Sequence, residues 1–147
     1  MARILGIDYG TKRIGLAISD SGGSIASPLK QVAAAGRSAD DAAAVLRIAD
    51  ENRAEELLIG LPVNMDGTEG PQAKLTRAFA DKLEALTARP VRFWDERLSS
   101  RTAEAYLAQA DLTRKQKKKR RDAVAAQVIL QSYLDRESTP PANRPPP

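Results

Sequence analysis

The chain has 147 residues, 42% of them hydrophobic and 29% charged, a size and balance suited to one domain with a single core. It contains no cysteine and no histidine, which excludes a disulfide framework, a thiol nucleophile, a Cys/His zinc site and a Ser-His-Asp triad. Net charge is +4, yet residues 112–121 (LTRKQKKKRR) hold seven positive charges and no negative one, so the basic character is one local patch of the kind that attracts polyanions.

Residues 3–9 (RILGIDY) form a short apolar run, expected to be a strand buried on both faces. A turn at 10–12 leads into residues 13–20 (RIGLAISD), where Ile14, Leu16 and Ile18 alternate with smaller residues; the short connection predicts an antiparallel hairpin. A second turn at 21–24 precedes a third strand over 28–32. Residues 40–52 read as an amphipathic helix with Val45, Leu46 and Ala49 on one stripe. Residues 56–61 (ELLIGL) read as a buried strand, closed by Pro62 and the turn-rich VNMDGTEG. Pro71 opens a helix in which Leu75, Phe79, Leu83 and Leu86 recur at helical spacing to Thr87. Residues 91–94 form a short strand that runs into Asp95-Glu96. Ser99 or Ser100 is placed to cap a helix through Ala110, and Asp122 opens a last helix to about Arg136.

A three-strand meander followed by helix-linked strands predicts an α/β fold, a five-stranded mixed sheet with helices packed on it. The domain is expected to span 1–136. The tail ESTPPANRPPP (137–147), with five of the nine prolines, is expected to be disordered. The first ten residues, MARILGIDYG, lack a sustained apolar leader and no later stretch has membrane-spanning length, so a soluble cytoplasmic protein is expected.

Without histidine or cysteine, any chemistry falls to carboxylates, cations, hydroxyls or a bound metal. Asp8 ends a strand whose other members require burial, and an ionised carboxylate there is costly unless a cation or hydrogen bonds compensate it. An aspartate accepting backbone N–H groups of its own turn is the ordinary alternative. Asp95 and Glu96 also stand where an apolar strand ends. Neighbours on a strand point to opposite faces, so only one of them can face Asp8, and parity alone does not say which; a surface ion pair of Glu96 with Arg97 or Arg101 is the bland reading. Asp122 shares a helical face with Ala125, Ala126, Ile129 and Tyr133, although an aspartate at a helix start is also favoured by capping and the macrodipole.

Three carboxylates on separate elements suit oxygen ligation of a hard cation, Mg²⁺ or Mn²⁺, and two-metal phosphodiester hydrolysis needs no histidine. The cations of 112–121 repel one another, so an ordered conformation there is expected to need an anionic partner such as a phosphate backbone; otherwise the run is solvated surface. The few aromatic residues form no stacking platform, which leaves backbone and shape as the recognised features.

The segments GIDYGTKRIGLAISD, GLPVNMDGTEG, DERLSS and DAVAAQVILQSYL, in this order and spacing, resemble the YqgF/RuvX family over residues 3–135. Its members are named as Holliday junction resolvases or pre-16S rRNA nucleases. The resemblance implies a ribonuclease H-like fold and a role in 5′-end maturation of 16S ribosomal RNA. It implies an acidic catalytic and metal-binding triad of Asp8, Glu96 and Asp122, with Asp95 a lesser candidate. Lys12, Arg13 and Arg97 lie inside the matching motifs and are expected to contact phosphates, with Lys117, Lys118 and Lys119 of the basic run. Asn64, Asp66, Gly67 and Thr68 form the signature loop.

The expected activity is Mg²⁺- or Mn²⁺-dependent cleavage of structured nucleic acid, foremost precursor 16S rRNA. Four-way DNA is the alternative substrate, and a noncatalytic rRNA- or transcription-associated binding factor is the alternative of another class. An actin-like phosphotransferase, suggested by DYGTKRIG, needs two such domains, and this chain holds one. The sequence leaves monomer or homodimer undecided.

Overall fold

The computed structural model describes the backbone of residues 2–99 and 114–138, and side chains within 2–98 and 123–137. The strands are β1 (Ile4–Tyr9), β2 (Arg13–Ser19), β3 (Ala26–Ala33), β4 (Glu56–Leu61) and β5 (Val91–Asp95). Among the described residues the helices are α1 (Ser38–Glu51), α2 (Pro71–Leu86) and α3 (Arg114–Ser138), and a 3-10 turn, Glu96–Ser99, follows β5. One five-stranded sheet runs in the order β3-β2-β1-β4-β5. β1 is antiparallel to β2 and β2 to β3, whereas β4 is parallel to both β1 and β5. This is the mixed sheet expected from the sequence.

The strand period of two divides the core into two layers. Leu5, Ile7, Leu57 and Ile59 pack on one face with Val45 and Ala49 of α1 and Phe79 and Leu83 of α2. Ile4, Leu58 and Trp94 pack on the other with Ala126, Ile129, Leu130 and Tyr133 of α3. Gly6 lies under α3: a Cβ there would sit 2.9 Å from Leu130 Cβ and 3.2 Å from the Ala126 carbonyl oxygen. Tyr9, on the α1/α2 face, stacks on Phe79 at 4.1 Å and donates its hydroxyl to Asp41 at 2.9 Å. Burial, with the Asp41 hydrogen bond and charge, pushes that phenol up to about 12.

Several boundaries depart from expectation. β3 begins at Ala26 and carries Pro28, tolerated because β3 is an edge strand whose pairing shifts register beside it, between Leu16 and Ala17. α1 starts two residues early, at Ser38. α3 starts at Arg114 and not at Asp122, so most of the basic run is the first turns of a helix and Asp122 is an interior helical position. Lys, Arg and Gln are good helix formers, and like charges four apart cost only a few tenths of a kcal/mol, ~0.2–0.5 per pair. The expected helix over 100–110 and the tail beyond Ser138 lie outside the described residues; α3 itself runs through Glu137 and Ser138, so the first two residues of the tail expected to be disordered are helical. Among the described residues, no helix is long and apolar enough to cross a membrane.

α1 ends with the Ala54 amide donating to the Ala49 carbonyl and Arg53 at φ +55°. That is a left-handed helix stop with a side chain where glycine is favoured. Arg53→Gly is expected to stabilise the protein by about 0.5–1 kcal/mol, raising the thermal midpoint by about 2–4 °C in calorimetry.

Candidate active site

The parallel strands β1, β4 and β5 end along one rim of the sheet. Register builds the site there. Ile7 pairs with Ile59 and Gly60 with Trp94, so Asp8 stands beside Gly60, with Trp94 across from it and Glu96 two residues further on. Parity sends Asp8 to the α3 face with Gly6, and Glu96 to that same face with Trp94, whose indole N–H donates to Ser132 of α3. Asp95 points to the opposite face.

Gly60 is the bare floor between the two carboxyl groups. A Cβ there would meet Glu96 Oε1 at 2.8 Å, Glu96 Cγ at 3.1 Å and Ile129 Cδ1 at 2.5 Å. Glu96 therefore lies flat across β4 and is hydrogen-bonded to Asp8. Burial pushes the Glu96 carboxyl above the usual carboxylate range; the Asp8 hydrogen bond opposes this, and the Asp95 charge reinforces it. Two carboxyl groups are thus held side by side over Gly60. That donor set fits a hard divalent cation, because a 2+ charge lets both groups ionise and takes carboxylate oxygens as ligands.

Asp122 enters through the helix axis. α3 passes Tyr133 and Leu134 near Ile4, in a shared cavity of about 350 Å³, and passes Leu130 and Ala126 over Gly6. One turn further toward its N-terminus, about 6 Å along the axis, is position 122. Two residues along β1 from Gly6, about 6.6 Å, is Asp8. The helix thus carries backbone position 122 toward the rim that holds Asp8 and Glu96; the Asp122 side chain lies outside the described residues. Among the described residues no group of three or more His, Cys, Asp or Glu is arranged to hold a metal.

The predicted cations fall in three places. Lys12 and Arg13 are exposed at the β1–β2 turn, which Gly10 makes possible: its N–H donates to the Arg13 carbonyl at 2.9 Å, and a Cβ there would come within 2.5 Å of that oxygen. Lys117, Lys118 and Lys119 occupy the first turns of α3, with side chains outside the described residues. Arg97 is engaged within the protein. It holds Asp95 through Nε at 3.0 Å and Nη2 at 2.6 Å, and its backbone N–H also donates to Asp95 at 2.9 Å. These contacts, the side-chain bonds foremost, keep the Asp95 carboxyl below its ordinary range. Arg97 thus pairs with Asp95 on the far face, and Arg101, the other partner considered for Glu96, lies outside the described residues.

Arg97 also reaches the signature loop, donating to the Asn64 carbonyl at 3.4 Å and, at the limit of hydrogen-bond distance, to that of Met65 at 3.5 Å. The importance of Gly60 and of this link was not read from the sequence. The glycine breaking an otherwise apolar run in ELLIGL was the available signal.

A mixed sheet in this order, with helices on both faces and acidic side chains at the strand ends, defines an α/β protein of ribonuclease H-like fold. The family profile described as "RuvX: Holliday junction resolvase" matches residues 2–136. The chain belongs to the RuvX family and is, at that level, a nuclease. Curated relatives carry the name "Putative pre-16S rRNA nuclease". One from Paracoccus denitrificans is 49% identical over 90% of this chain and 84% of its own length. Another, from Halothermothrix orenii, is 44% identical over 90% and 94%. The fold is shared with Thermus thermophilus RuvC, solved with a Holliday junction substrate, at TM-score 0.61 and 15% identity over 95% of this chain and 98% of that one. It is shared also with the fowlpox virus Holliday junction resolvase, at TM-score 0.54 and 12% identity over 90% and 97%.

Proposed function

We propose that this RuvX-family nuclease depends on Mg²⁺ or Mn²⁺, hydrolyses phosphodiester bonds in structured RNA, and acts in the cytoplasm on the 5′ end of precursor 16S rRNA. The observation that carries this reading is the contact of Asp8 with Glu96 over Gly60 at the rim of the sheet. The names of relatives that are 44–49% identical over nine-tenths of the chain support the choice of substrate.

Asp8 and Glu96, with Asp122 brought toward them by α3, are the residues to hold the cation, which when bound supplies activation of water and stabilisation of the leaving oxygen. The chain's own part is positional. β1 and the turn after β5 hold two carboxyl groups in fixed contact, and Gly60 leaves room for one to lie across the strand. Lys12 and Arg13 at the neighbouring turn, and the cations of α3, set the phosphate backbone against that rim. Arg97 supports the site from behind by joining Asp95 to the loop. The nuclease domain is read as 1–136, with the proline-rich tail outside it.

The test is cleavage of precursor 16S RNA and of a four-way DNA junction, side by side, with and without Mg²⁺. Faster metal-dependent cleavage of the RNA supports the proposal. Preference for the junction, the reading favoured by the family's description, replaces the substrate. No cleavage of either by correctly folded protein ends the enzymatic reading.

Replacing Lys117, Lys118 and Lys119 together by glutamine is expected to weaken RNA binding and lower the slope of log affinity against log salt by about two to three units. An unchanged slope in a salt titration would show that these cations are only solvated surface.

A further inference from the structure

The loop between β4 and α2 is closed by its own hydrogen bonds and its tip is apolar. Gly67, at φ +88°, closes the turn as its N–H donates to the Asn64 carbonyl at 2.8 Å, and the Asn64 N–H donates to the Thr68 carbonyl at 2.8 Å. Asn64 Nδ2 donates to Thr68 Oγ1 at 3.0 Å, and the Thr68 hydroxyl and N–H donate to Asp66 at 2.6 and 3.0 Å. Glu69, the other acid of the loop, is held by both nitrogens of the Arg77 fork. Arg97, the residue after Glu96, reaches the Asn64 and Met65 carbonyls. The polar side chains of the loop thus turn inward on one another, while Met65 stands 90% exposed at the tip.

We infer that Met65 is a wedge that enters a stacked base step of the nucleic acid substrate and unstacks it beside the Asp8–Glu96 rim. A single apolar side chain ringed by polar groups is too small for a protein-docking patch, which needs a contiguous apolar surface. Methionine is among the residues that insert between base steps. Its loop is ordered beforehand, so little conformational entropy is lost on insertion. The loop leaves β4 directly after Gly60 and Leu61 and is tied to Arg97, the residue after Glu96, so the wedge stands at the same end of the sheet as the two carboxyl groups. This inference rests on the nuclease reading for the class of substrate.

The experiment uses the full chain carrying Asp8→Asn, which is expected to slow cleavage on the order of 10³-fold. Its probes are a precursor 16S stem and a four-way DNA junction, each with 2-aminopurine at the base step under study. Binding is expected to raise the fluorescence of whichever probe is a substrate, and the two probes separate RNA from DNA as the source of the step. Adding Met65→Ala should abolish the rise while leaving affinity within about threefold, and Met65→Leu should restore it. In the catalytically intact chain, Met65→Ala should lower kcat about tenfold or more with little change in KM. A rise as large with Met65→Ala as without it, or an unchanged kcat, overturns the wedge. The fluorescence readout needs binding only, so failure of wild-type protein to cleave would strike the nuclease reading and leave this result to be judged by itself.

Discussion

Asp8→Asn is expected to leave precursor RNA binding within about twofold of wild type while slowing cleavage on the order of 10³-fold, a loss of about 4 kcal/mol of transition-state stabilisation. Asparagine has nearly the shape of aspartate and can donate to Glu96, so the contact across Gly60 survives in a neutral form and the fold is retained. What disappears is one negative charge from the pair proposed to hold the cation. A binding isotherm and a single-turnover time course on the same RNA check both halves of the expectation. Wild-type-like cleavage would remove Asp8 from the mechanism. Loss of folding, seen by circular dichroism, would make it a structural residue.

Gly6 and Gly60, two buried glycines on the α3 face, are expected to fail in opposite ways. At Gly60 an added methyl meets Glu96 Oε1 at 2.8 Å and Ile129 Cδ1 at 2.5 Å. Both are far ends of flexible side chains, so Gly60→Ala should cost only about 1 kcal/mol of stability as they swing aside. Glu96 is then displaced from Asp8, and a shift of about 1 Å in a positioning group costs on the order of 10²-fold in rate. At Gly6 the methyl meets Leu130 Cβ at 2.9 Å and the Ala126 carbonyl oxygen at 3.2 Å. These atoms belong to the body of the helix and cannot rotate away. Gly6→Ala should therefore lift α3 and cost about 1–3 kcal/mol. Urea denaturation and cleavage rates of the two variants should diverge. Equal losses of stability, or an active Gly60→Ala protein, would show that Glu96 is not held by this floor.

Much of this arrangement was legible in the chain. ELLIGL and RIGLAISD carry their strands in local patterning, and Pro71 with the spacing of Phe79 and Leu83 marks α2, because these signals act within a few residues. The start of α3 was missed because repulsion among Lys117, Lys118, Lys119 and their neighbours was overweighted: exposed charges in water are screened over roughly 8–10 Å and cost less than helix propensity returns. The role of Arg97 was hidden for another reason. Its partners are Asp95, two residues away, and the carbonyls of Asn64 and Met65, more than thirty residues away, and no spacing in the sequence connects them.

What the sequence by itself determined was the inventory of the site: acidic residues at the ends of apolar strands, a basic run leading to Asp122, and no histidine to share the work. Those are local properties, readable from burial preference and charge along the chain. Only the tertiary structure decided that Glu96 meets Asp8 and that Asp95 turns away. Alternation states that neighbouring residues face opposite sides, but not which side α3 covers. It also decided that Gly60 separates the two carboxyl groups, since that depends on the register of β1, β4 and β5, which is set by how three distant segments pack together.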